Sequence, residues 1–416
     1  MSVEVITNCK ICCLTYNVNL KLASKDNVEQ LLGEYKKYMQ EAHFIAFGFQ
    51  EISASEFAGA ISTDQTWPYL ITQWLRTINF IVLHSTYLAI NRIILFTKKK
   101  ILPFINKIET RFHRFGFMGL SGHKGTLSIK VSLSNDEKII FLSSHFVHDV
   151  KEYQTRINQF RESIKCTFKD QREKNVSIFW MGDFNWRLQS TDNVKVFREL
   201  EKLEESNIEA FVENNCQLRK VKKDGDAFYG FIEPQIFFMP TYKIKIGTNN
   251  FDTKRIPAWC DRILYKGNDI QNLLYTSNKS ILLSDHYPVF GLFSKKFSLP
   301  LNIPENSFNY FPIQFRNRLS YYAHTPLIVN FSFKNNFWSE SGSNLDWIGV
   351  FSLTLYIDNP ISWVYLATCT ESESDPNIFV AELPGISRGM YKLVYFSSKL
   401  KCIKGISEFE VNLLND

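Results

Sequence analysis

Apolar runs of strand length alternate with helix-like segments along the first two-thirds of the chain. The runs at residues 11–18, 44–49 and 176–181 end at or beside polar residues, whereas residues 27–40 carry apolar side chains at helical spacing. A further strand-like run is followed by a polar, helix-like segment at residues 151–172. This order predicts an α/β domain in which buried sheets are covered by helices.

The pattern changes after residue 298. Prolines recur among Asn and Ser at residues 298–312, which predicts a linker. Beyond it, short alternating strands such as 327–331 and 347–351 are separated by turn residues, with no long helix. We therefore predict an α/β domain followed by an all-β sandwich. The predicted ranges are 1–297 for the first domain, 298–310 for the linker and 311–416 for the second domain.

Polar side chains recur at the ends of the predicted strands, where sites gather in layered α/β folds. Glu51 follows an apolar strand and offers the carboxylate oxygen that Mg²⁺ prefers, although a lone acid there is more often only solvated. Asp183 and Asn185 are two positions apart, so in an extended segment both side chains point the same way. Such a pair can orient a water and hold a phosphate oxygen, and Gly182 lets the backbone approach a ligand.

A second polar group lies around residues 284–288 (SDHYP). His286 offers an imidazole for proton transfer or oxyanion stabilisation, and Asp261 would fix its tautomer. Arg and Lys in loops beside a metal site suit a substrate that carries several phosphates. A solvated surface is the simpler interpretation of any single member, and the better one for Lys245. The basic residues are Lys243, Lys245, Lys254, Arg255 and Arg262.

Composition narrows the class of protein without deciding it. The chain has 416 residues, 45% hydrophobic content and a net charge of +6, which fits a folded protein with an anionic substrate or membrane surface. The 8 Cys form no metal-type pairs, which indicates free thiols in a reducing cytosol. The apolar stretch 78–96 is interrupted by His84, Asn91 and Arg92, so it predicts buried strands. We expect a cytoplasmic protein whose membrane contact is peripheral.

Two runs carry a specific resemblance, residues 180–187 (WMGDFNWR) and 257–264 (PAWCDRIL). With shorter matches at 15–17 (TYN), 50–51 (QE) and 284–286 (SDH), they resemble the inositol polyphosphate 5-phosphatases, a branch of the endonuclease/exonuclease/phosphatase superfamily. The resemblance implies a four-layer α/β sandwich and a Mg²⁺-dependent phosphatase. Its implied substrates are phosphatidylinositol 4,5-bisphosphate, phosphatidylinositol 3,4,5-trisphosphate and soluble inositol polyphosphates, all hydrolysed at the 5-phosphate.

The resemblance also implies roles for individual residues. Glu51 with Asn17 would hold the Mg²⁺. Asp183 would orient or deprotonate the attacking water, and His286, supported by Asp261, is the other candidate base. The remaining catalytic residues would stabilise phosphoryl oxygens or lie behind the metal; they are His145, Asn185 and Asp285. The substrate-binding residues would be Tyr242, Lys243, Lys254 and Arg255 for a neighbouring 4-phosphate, Lys124 and Arg187 for other phosphates, and Arg262 from the basic cluster.

The chain departs from the usual family pattern in two places. Residues 123–126 (HKGT) stand where Asn-Lys-Gly-Gly is usual, a change in the phosphate-binding loop that could alter head-group preference. Phe184 and Trp186 stand where Leu and Tyr are usual and keep the apolar or aromatic character. Residues 311–414, including 346–351 (DWIGVF), resemble the SKICH domain more loosely. That resemblance implies targeting or a protein partner.

Two other functions remain open from the sequence. A nuclease of the same superfamily would share the core acids, amides and histidine, but the Tyr242-Lys243 and Lys254-Arg255 pairs and the modest charge argue against a nucleic-acid partner. A catalytically dead lipid-binding module is the second alternative, and the intact acids and His286 argue against it. The prediction is an active phosphatase on phosphoinositide lipids or inositol phosphates.

Overall fold

The computed structural model describes residues 5–53, 56, 66–116, 123–168, 175–300, 311–316, 320–334, 336–353 and 360–413. The strands of the first domain are β1 (Val5–Asn17), β2 (Phe44–Gln50), β3 (Phe80–Leu88), β4 (Asn91–Lys98), β5 (Ile105–Arg114), β6 (Gly125–Leu133), β7 (Lys138–His145), β8 (Val176–Asp183), β9 (Asp261–Lys266), β10 (Ile270–Ser277) and β11 (Val289–Pro300). Its helices are α1 (Lys25–Leu32), α2 (Lys36–Glu41), α3 (Trp67–Arg76), α4 (Tyr153–Ser163), α5 (Asn193–Glu201), α6 (Glu205–Asn215) and α7 (Gln217–Lys223).

The strands form two sheets that pack face to face. One sheet has the order β10-β11-β1-β2-β4-β3 and the other β5-β6-β7-β8-β9. Alternate residues of β1 pack into two different hydrophobic cores, because successive side chains of a strand point to opposite faces of the sheet. Ile11 and Cys13 lie in the core between the sheets, while Cys12 and Leu14 pack with the helices α1 to α3. Since α4 to α7 cover the other sheet, the four-layer α/β sandwich is confirmed.

Two predicted helices are shorter than their patterns. The segment at 27–40 forms α1 and α2, separated by a 3₁₀ turn at Gly33–Tyr35. Ser24 caps α1 by accepting a hydrogen bond from Asn27 N at 3.1 Å. The segment at 151–172 forms α4 and a 3₁₀ turn that ends at Phe168, whose left-handed φ of 53° stops the helix. Residues 169–174 lie outside the described residues.

The second domain is an all-β sandwich, as predicted. Its sheets have the orders β12-β14-β18-β17 and β13-β20-β19-β15-β16, and one apolar core lies between them. Its strands are β12 (Ile313–Phe315), β13 (Ser320–Tyr322), β14 (Leu327–Phe333), β15 (Trp347–Ser352), β16 (Ser362–Tyr365), β17 (Thr370–Glu371), β18 (Phe379–Leu383), β19 (Gly389–Ser397) and β20 (Cys402–Asn412), and the short helix α8 spans Phe337–Ser341.

The second domain packs against β5 and the 3₁₀ segment Lys99–Phe104 of the first. Ile108 N donates to Leu400 O at 2.9 Å, so backbone beside β20 covers part of the edge strand β5. Lys404 Nζ donates to Ile105 O at 2.6 Å in a buried contact. Apolar side chains from β15, β19 and β20 continue the core of the first domain; they are Phe351, Val394, Cys402, Ile403 and Ile406.

Two further sequence predictions bear on the organisation of the chain. The apolar stretch 78–96 forms β3 and most of β4, as predicted. Strand β11 ends at Pro300, inside the range predicted as linker, and residues 301–310 lie outside the described residues. Among the described helices, none is long and apolar enough to cross a bilayer.

Candidate active site

Strand register brings five of the predicted site residues to one edge of the two sheets. Asn17 ends β1, and Glu51 follows the end of the parallel strand β2 beside it. His145 ends β7 and pairs with Asp183 at the end of β8. Asp183 pairs in turn with Asp261, the first residue of β9. The ends of these neighbouring strands therefore form the floor of a polar cleft.

The carboxylate of Asp183 links the two sheets. Asn17 Nδ2 donates to Asp183 Oδ2 at 3.1 Å. His145 Nε2 lies 3.4 Å and His286 Nε2 4.0 Å from the same oxygen. Burial alone would raise the pKa of Asp183, but the positive charges of His286 and Lys124 hold this pKa well below its ordinary value. Asp183 is therefore a buried anion at neutral pH, in a position to orient a water.

Gly182 allows β7 and β8 to approach each other closely just before Asp183. Its φ is +148°, in the range that disfavours other residues, and a Cβ at this position would lie 2.0 Å from Ser144 O. Any side chain here would push the two strands apart and displace Asp183 from His145. The glycine of the first signature is thus a requirement of strand packing.

A buried carboxylate orients His286. Asp261 Oδ2 lies 2.8 Å from His286 Nδ1 and accepts a hydrogen bond from Thr241 Oγ1 at 2.7 Å. Burial alone would lower the pKa of His286, but the charge and hydrogen bond of Asp261 raise it to about 9. Thr241 was not among the predicted residues, and its one signal was its place directly before the Tyr242-Lys243 pair.

Glu51 and Asn17 offer the oxygen donors that a hard divalent cation prefers. Glu51 Oε1 lies 3.7 Å from Lys124 Nζ and 3.6 Å from His145 Nε2, farther than a hydrogen bond, so this carboxylate is available to a cation. Asn17 Oδ1 accepts from Asn19 N at 3.0 Å and keeps a second lone pair. The residues present therefore fit a metal at this corner.

A second group of metal-type donors lies deeper in the cleft. Ligand atoms of Asp183, Asp261 and His286 lie within 4.8 Å of one another. His286 Nδ1 is already engaged by Asp261, however, and all three residues are buried. Their mutual contacts suit proton transfer and charge stabilisation better than a cation, for which the more accessible Glu51 is the better ligand.

The predicted 4-phosphate residues lie on one wall of the cleft. The ring centroid of Tyr242 is 4.7 Å from that of His286. Lys243 Nζ lies 3.2 Å from Asp285 Oδ2, and although burial lowers the pKa of Lys243, this carboxylate raises it above its ordinary value. Lys254 and Arg255 are exposed on the loop that follows, where Asp252 N donates to Lys243 O at 2.8 Å.

Asn185 reaches the cleft by a different geometry from the one predicted. The strand ends at Asp183, and Asn185 has a left-handed φ of 53°, so the expectation of an extended segment is wrong. Its side chain donates to Phe146 O at 3.0 Å and accepts from Arg187 Nη2 at 2.5 Å. Arg187 also lies 4.5 Å from the ring centroid of Tyr242. Among the described residues, its buried Nε has no hydrogen-bond partner, which leaves one donor for a ligand.

Arg262 does not line the cleft, so its predicted substrate-binding role is wrong. It is fully buried and binds Glu233 through two hydrogen bonds of 2.6 Å. The cause is strand alternation: Asp261 faces the cleft, so the next residue of β9 points through the sheet to its helix-covered face. The alternation of side chains along a strand can be applied to the sequence itself. Because Asp261 was predicted to face the site, this alternation should have excluded its neighbour Arg262 from substrate binding.

Of the departures from the family pattern, His123 is exposed, and the other three lie in the interior. Thr126 is buried, with its Oγ1 2.7 Å from Ser144 Oγ and 2.6 Å from Ser163 Oγ on α4. It therefore points away from the cleft, and nothing in this geometry connects it with head-group preference. Phe184 and Trp186 are also fully buried, in aromatic contacts.

The fold and the donor set at its edge are those of the endonuclease/exonuclease/phosphatase class. The chain belongs to the Endonuclease/Exonuclease/phosphatase family 2, whose family model matches residues 14–292, and the resemblance to its inositol polyphosphate 5-phosphatases is confirmed. A second family model, the SKICH domain, matches residues 313–410. The two matches fall within the two predicted domains.

Curated relatives give the same picture. The chain is 29% identical to polyphosphatidylinositol phosphatase INP53 of Saccharomyces cerevisiae over 68% of this chain and 26% of that protein. It is 26% identical to phosphatidylinositol 4,5-bisphosphate 5-phosphatase A of Mus musculus over 97% of this chain and 42% of that protein. The chain thus spans less than half the length of these relatives.

Solved structures share the fold of the first domain. The inositol polyphosphate 5-phosphatase domain of SPsynaptojanin, in complex with inositol (1,4)-bisphosphate and calcium ion, is 25% identical, with a TM-score of 0.58 over 70% of this chain and 85% of that one. A Cimex nitrophorin mutant in its ferrous NO complex is 22% identical, with the same TM-score of 0.58 over 70% of this chain and 99% of that one. The fold is therefore shared by proteins of unrelated function, and the site must carry the functional argument.

Proposed function

We propose that the chain is a Mg²⁺-dependent phosphatase that hydrolyses the 5-phosphate of phosphatidylinositol 4,5-bisphosphate and phosphatidylinositol 3,4,5-trisphosphate, with soluble inositol polyphosphates as further substrates. One observation supports this most strongly. The strand ends surround the buried anion Asp183 with Asn17, His145 and the His286–Asp261 pair. The names of the relatives and of the matched 5-phosphatase domain supply the substrate class.

In this proposal, the protein positions a water and stabilises charge on the phosphoryl group. Asp183 accepts a proton from the water that attacks phosphorus, since its carboxylate is ionised and held by Asn17. His286, cationic near neutral pH, stabilises the developing negative charge. Glu51 and Asn17 would hold the Mg²⁺, which when bound supplies positive charge to a phosphoryl oxygen. The raised pKa of His286 keeps its ring protonated near neutral pH, so Asp183 is the remaining candidate base, with a lowered pKa that makes its carboxylate a weak one.

The second wall of the cleft would select the substrate. Tyr242, Lys243, Lys254 and Arg255 lie on one continuous loop beside His286, and this position suits a phosphate adjacent to the one hydrolysed. Lys243 is held by Asp285, which places its ammonium at the edge of the cleft. Because charge-assisted bonds from Lys and Arg recognise phosphate, this loop favours substrates with a 4-phosphate.

We further propose peripheral membrane contact through the rim of the cleft. Leu20 is 53% exposed and its N–H donates to Glu51 O at 2.7 Å, so it lies directly beside the metal corner. Ile246 is 48% exposed on the loop whose Ile244 N donates to Asp285 O at 2.9 Å. The exposed Lys245 adds positive charge next to Ile246, and this combination suits an anionic lipid surface. A cytoplasmic location and a protein partner of the second domain remain part of the proposal.

The first experiment measures phosphate release from vesicles that contain phosphatidylinositol 4,5-bisphosphate, with Mg²⁺ and with EDTA. His286→Ala should lose release because the charge-stabilising group is gone, and EDTA should abolish release by the wild type. His43→Ala is the matched control: His43 accepts from Lys10 N at 3.0 Å, where the pairing of β1 with β2 begins, and the cleft lies at the other end of that pairing.

Two outcomes would contradict the proposal. Equal release with EDTA would exclude the metal, and no release from either lipid or from inositol 1,4,5-trisphosphate would exclude the phosphatase. Lipid binding without turnover would then favour the binding-module alternative, and nicking of plasmid DNA would favour the nuclease.

A further inference from the structure

Asn91, the first residue of β4, connects the β3–β4 turn, the loop that carries Lys124 and the ring of His145. No role was predicted for it from the sequence. Its side chain is 3% exposed. Its Nδ2 donates to Leu88 O across the β3–β4 turn at 3.3 Å and to His123 O, just before Lys124. Its Oδ1 lies 3.1 Å from His145 Nδ1. The sequence marked it only as a polar interruption of an apolar stretch.

The two backbone carbonyls determine which way the Asn91 amide faces. A carbonyl oxygen only accepts, so both contacts require the NH₂ group of the amide on that side. The amide oxygen must then face His145, and it too can only accept. The proton of a neutral His145 ring therefore lies on Nδ1, and Nε2 presents a lone pair to the cleft.

The lone pair of Nε2 meets a donor. Lys124 Nζ is in hydrogen-bond contact with His145 Nε2, and the same ammonium lies 3.7 Å from Glu51. The loop that carries Lys124 is seated on the turn that holds Asn91, since a Cβ at Gly125 would lie 2.3 Å from Leu88 Cδ2. The same Cβ would lie 2.6 Å from the backbone oxygen of His113, which cannot move aside, so only glycine fits here. Asn91, His145 and Lys124 thus form one hydrogen-bonded series that ends in the cleft.

We propose that Asn91 is a positioning residue that sets the tautomer of His145 and, through it, the place of the Lys124 ammonium. The proposal rests on the phosphatase function proposed above. In this arrangement Lys124, and not His145, meets a phosphoryl oxygen at this corner, because the neutral ring offers the cleft a lone pair and no proton. This differs from the role that the family resemblance implied for His145.

The variants Asn91→Leu and Asn91→Asp separate the two functions of the side chain. Leucine is close in volume and removes both the acceptor and the donor. Aspartate keeps an acceptor for His145 Nδ1 and loses the donor to Leu88 O and His123 O. Asn278→Leu is the matched control: Asn278 is 1% exposed, and its Nδ2 also donates to two backbone carbonyls, Gln30 O and Leu31 O, but its side chain contacts no site residue in these bonds.

Two readouts test the series on the full chain. The first is the ¹⁵N chemical shifts of the His145 ring, assigned by their loss in His145→Asn, which report the tautomer without any turnover. The second is kcat/KM for inositol 1,4,5-trisphosphate, a soluble substrate that avoids membrane effects. Melting temperatures accompany both, so that a loss of stability is distinguished from a loss of positioning.

In the wild type, we expect the neutral His145 ring to carry its proton on Nδ1. Asn91→Leu should shift the ring toward the other tautomer and lower kcat/KM by about 10- to 100-fold, as removal of an orienting partner does elsewhere. Asn91→Asp should keep the Nδ1 proton and more of the activity, and Asn278→Leu should keep both even if it melts earlier.

A wild-type ring protonated on Nε2 when neutral would overturn the proposal, as would an Asn91→Leu enzyme that matches Asn278→Leu in kcat/KM. If Asn91→Leu does not fold, the Asn91→Asp variant decides instead. Loss of the Nδ1 proton from the His145 ring of that variant would also overturn the proposal. Absence of turnover by the wild type would instead contradict the proposed phosphatase function, and the ring shifts would still decide the orientation of His145.

Discussion

Replacement of Arg262 by Met should destabilise the first domain and leave substrate binding unchanged. Arg262 and Glu233 are both fully buried at their side chains and are joined by two hydrogen bonds of 2.6 Å. Burial alone would raise the pKa of Glu233, but the charges of Arg262 and Arg219 hold it below its ordinary value. Methionine fills similar space without charge, so the variant leaves a carboxylate buried beside weaker partners, Arg219 and the Tyr275 hydroxyl.

The magnitude follows from what remains around Glu233. Breaking a buried ion pair by removing one partner costs about 3–5 kcal/mol. Because Arg219 Nε stays 3.4 Å from Glu233, we expect the lower end, about 3 kcal/mol. At roughly 2 °C per kcal/mol for a domain of this size, the melting temperature should fall by about 6 °C.

The assay combines thermal unfolding with steady-state kinetics at a temperature where every variant is folded. Arg161→Met is the matched control, since Arg161 forms an ion pair of 3.3 Å with Asp226 while both side chains are largely exposed, and its melting temperature should match the wild type. The double variant with Glu233→Gln should lose less stability than the sum of the single losses. An Arg262→Met enzyme with the wild-type melting temperature and a raised KM would refute the structural role and restore the substrate-binding one.

Three further predictions concern the catalytic pair and the domain contact. Asp261→Asn should lower kcat by several orders of magnitude, because it removes the carboxylate that orients His286, with little change in KM; equal kcat by initial-rate kinetics would contradict this. The pKa of His286 is raised to about 9 in the folded protein, whereas its pKa in the unfolded chain is near 6.5. The stability that His286 gains from its pairing with Asp261 is therefore complete below about pH 6.5 and is lost as the pH rises through about 9. Melting temperatures of the wild type should therefore fall across pH 7 to 10 more steeply than those of His286→Ala, and parallel curves would exclude this pairing. Lys404→Met leaves the buried Ile105 O with only the weak donor Cys402 Sγ at 3.7 Å, which should cost about 1 kcal/mol and expose the domain boundary to limited proteolysis. Unchanged protection would show that the Lys404 contact does not hold the domains together.

Much of the fold was predictable from local pattern. The first domain was predicted from apolar runs of strand length that alternate with helical spacing, and the β-sandwich from the short alternating strands after residue 298. Both the four-layer α/β domain and the β-sandwich are confirmed. Helix ends were less predictable, because Gly33 and the left-handed Phe168 end segments that the periodicity alone would continue. The docking of the second domain on β5 could not be predicted from the sequence, because its apolar contacts, its backbone hydrogen bond and the Lys404 contact all join residues that are far apart in the chain.

The candidate site was also only partly predictable from the sequence. Residue types at strand ends identified the acids, amides and histidines, but not their partners. Asn17 and Asp183, which share a hydrogen bond of 3.1 Å, are 166 positions apart, and no local pattern reports such a contact. Asn91 and Thr241 were missed for the same reason, because their partners, His145 and Asp261, are 54 and 20 positions away in the chain.

The sequence by itself determined the order of the elements, the family and the donor atoms available for chemistry, because these depend on residue type and short-range spacing. Only the tertiary structure decided which donors meet. Register across β7, β8 and β9 sets Asp183 between His145 and Asp261, and strand alternation sends the neighbouring Arg262 to a buried ion pair on the opposite face. Side-chain direction depends on pairing between distant strands, and that pairing exists only once the two sheets have packed.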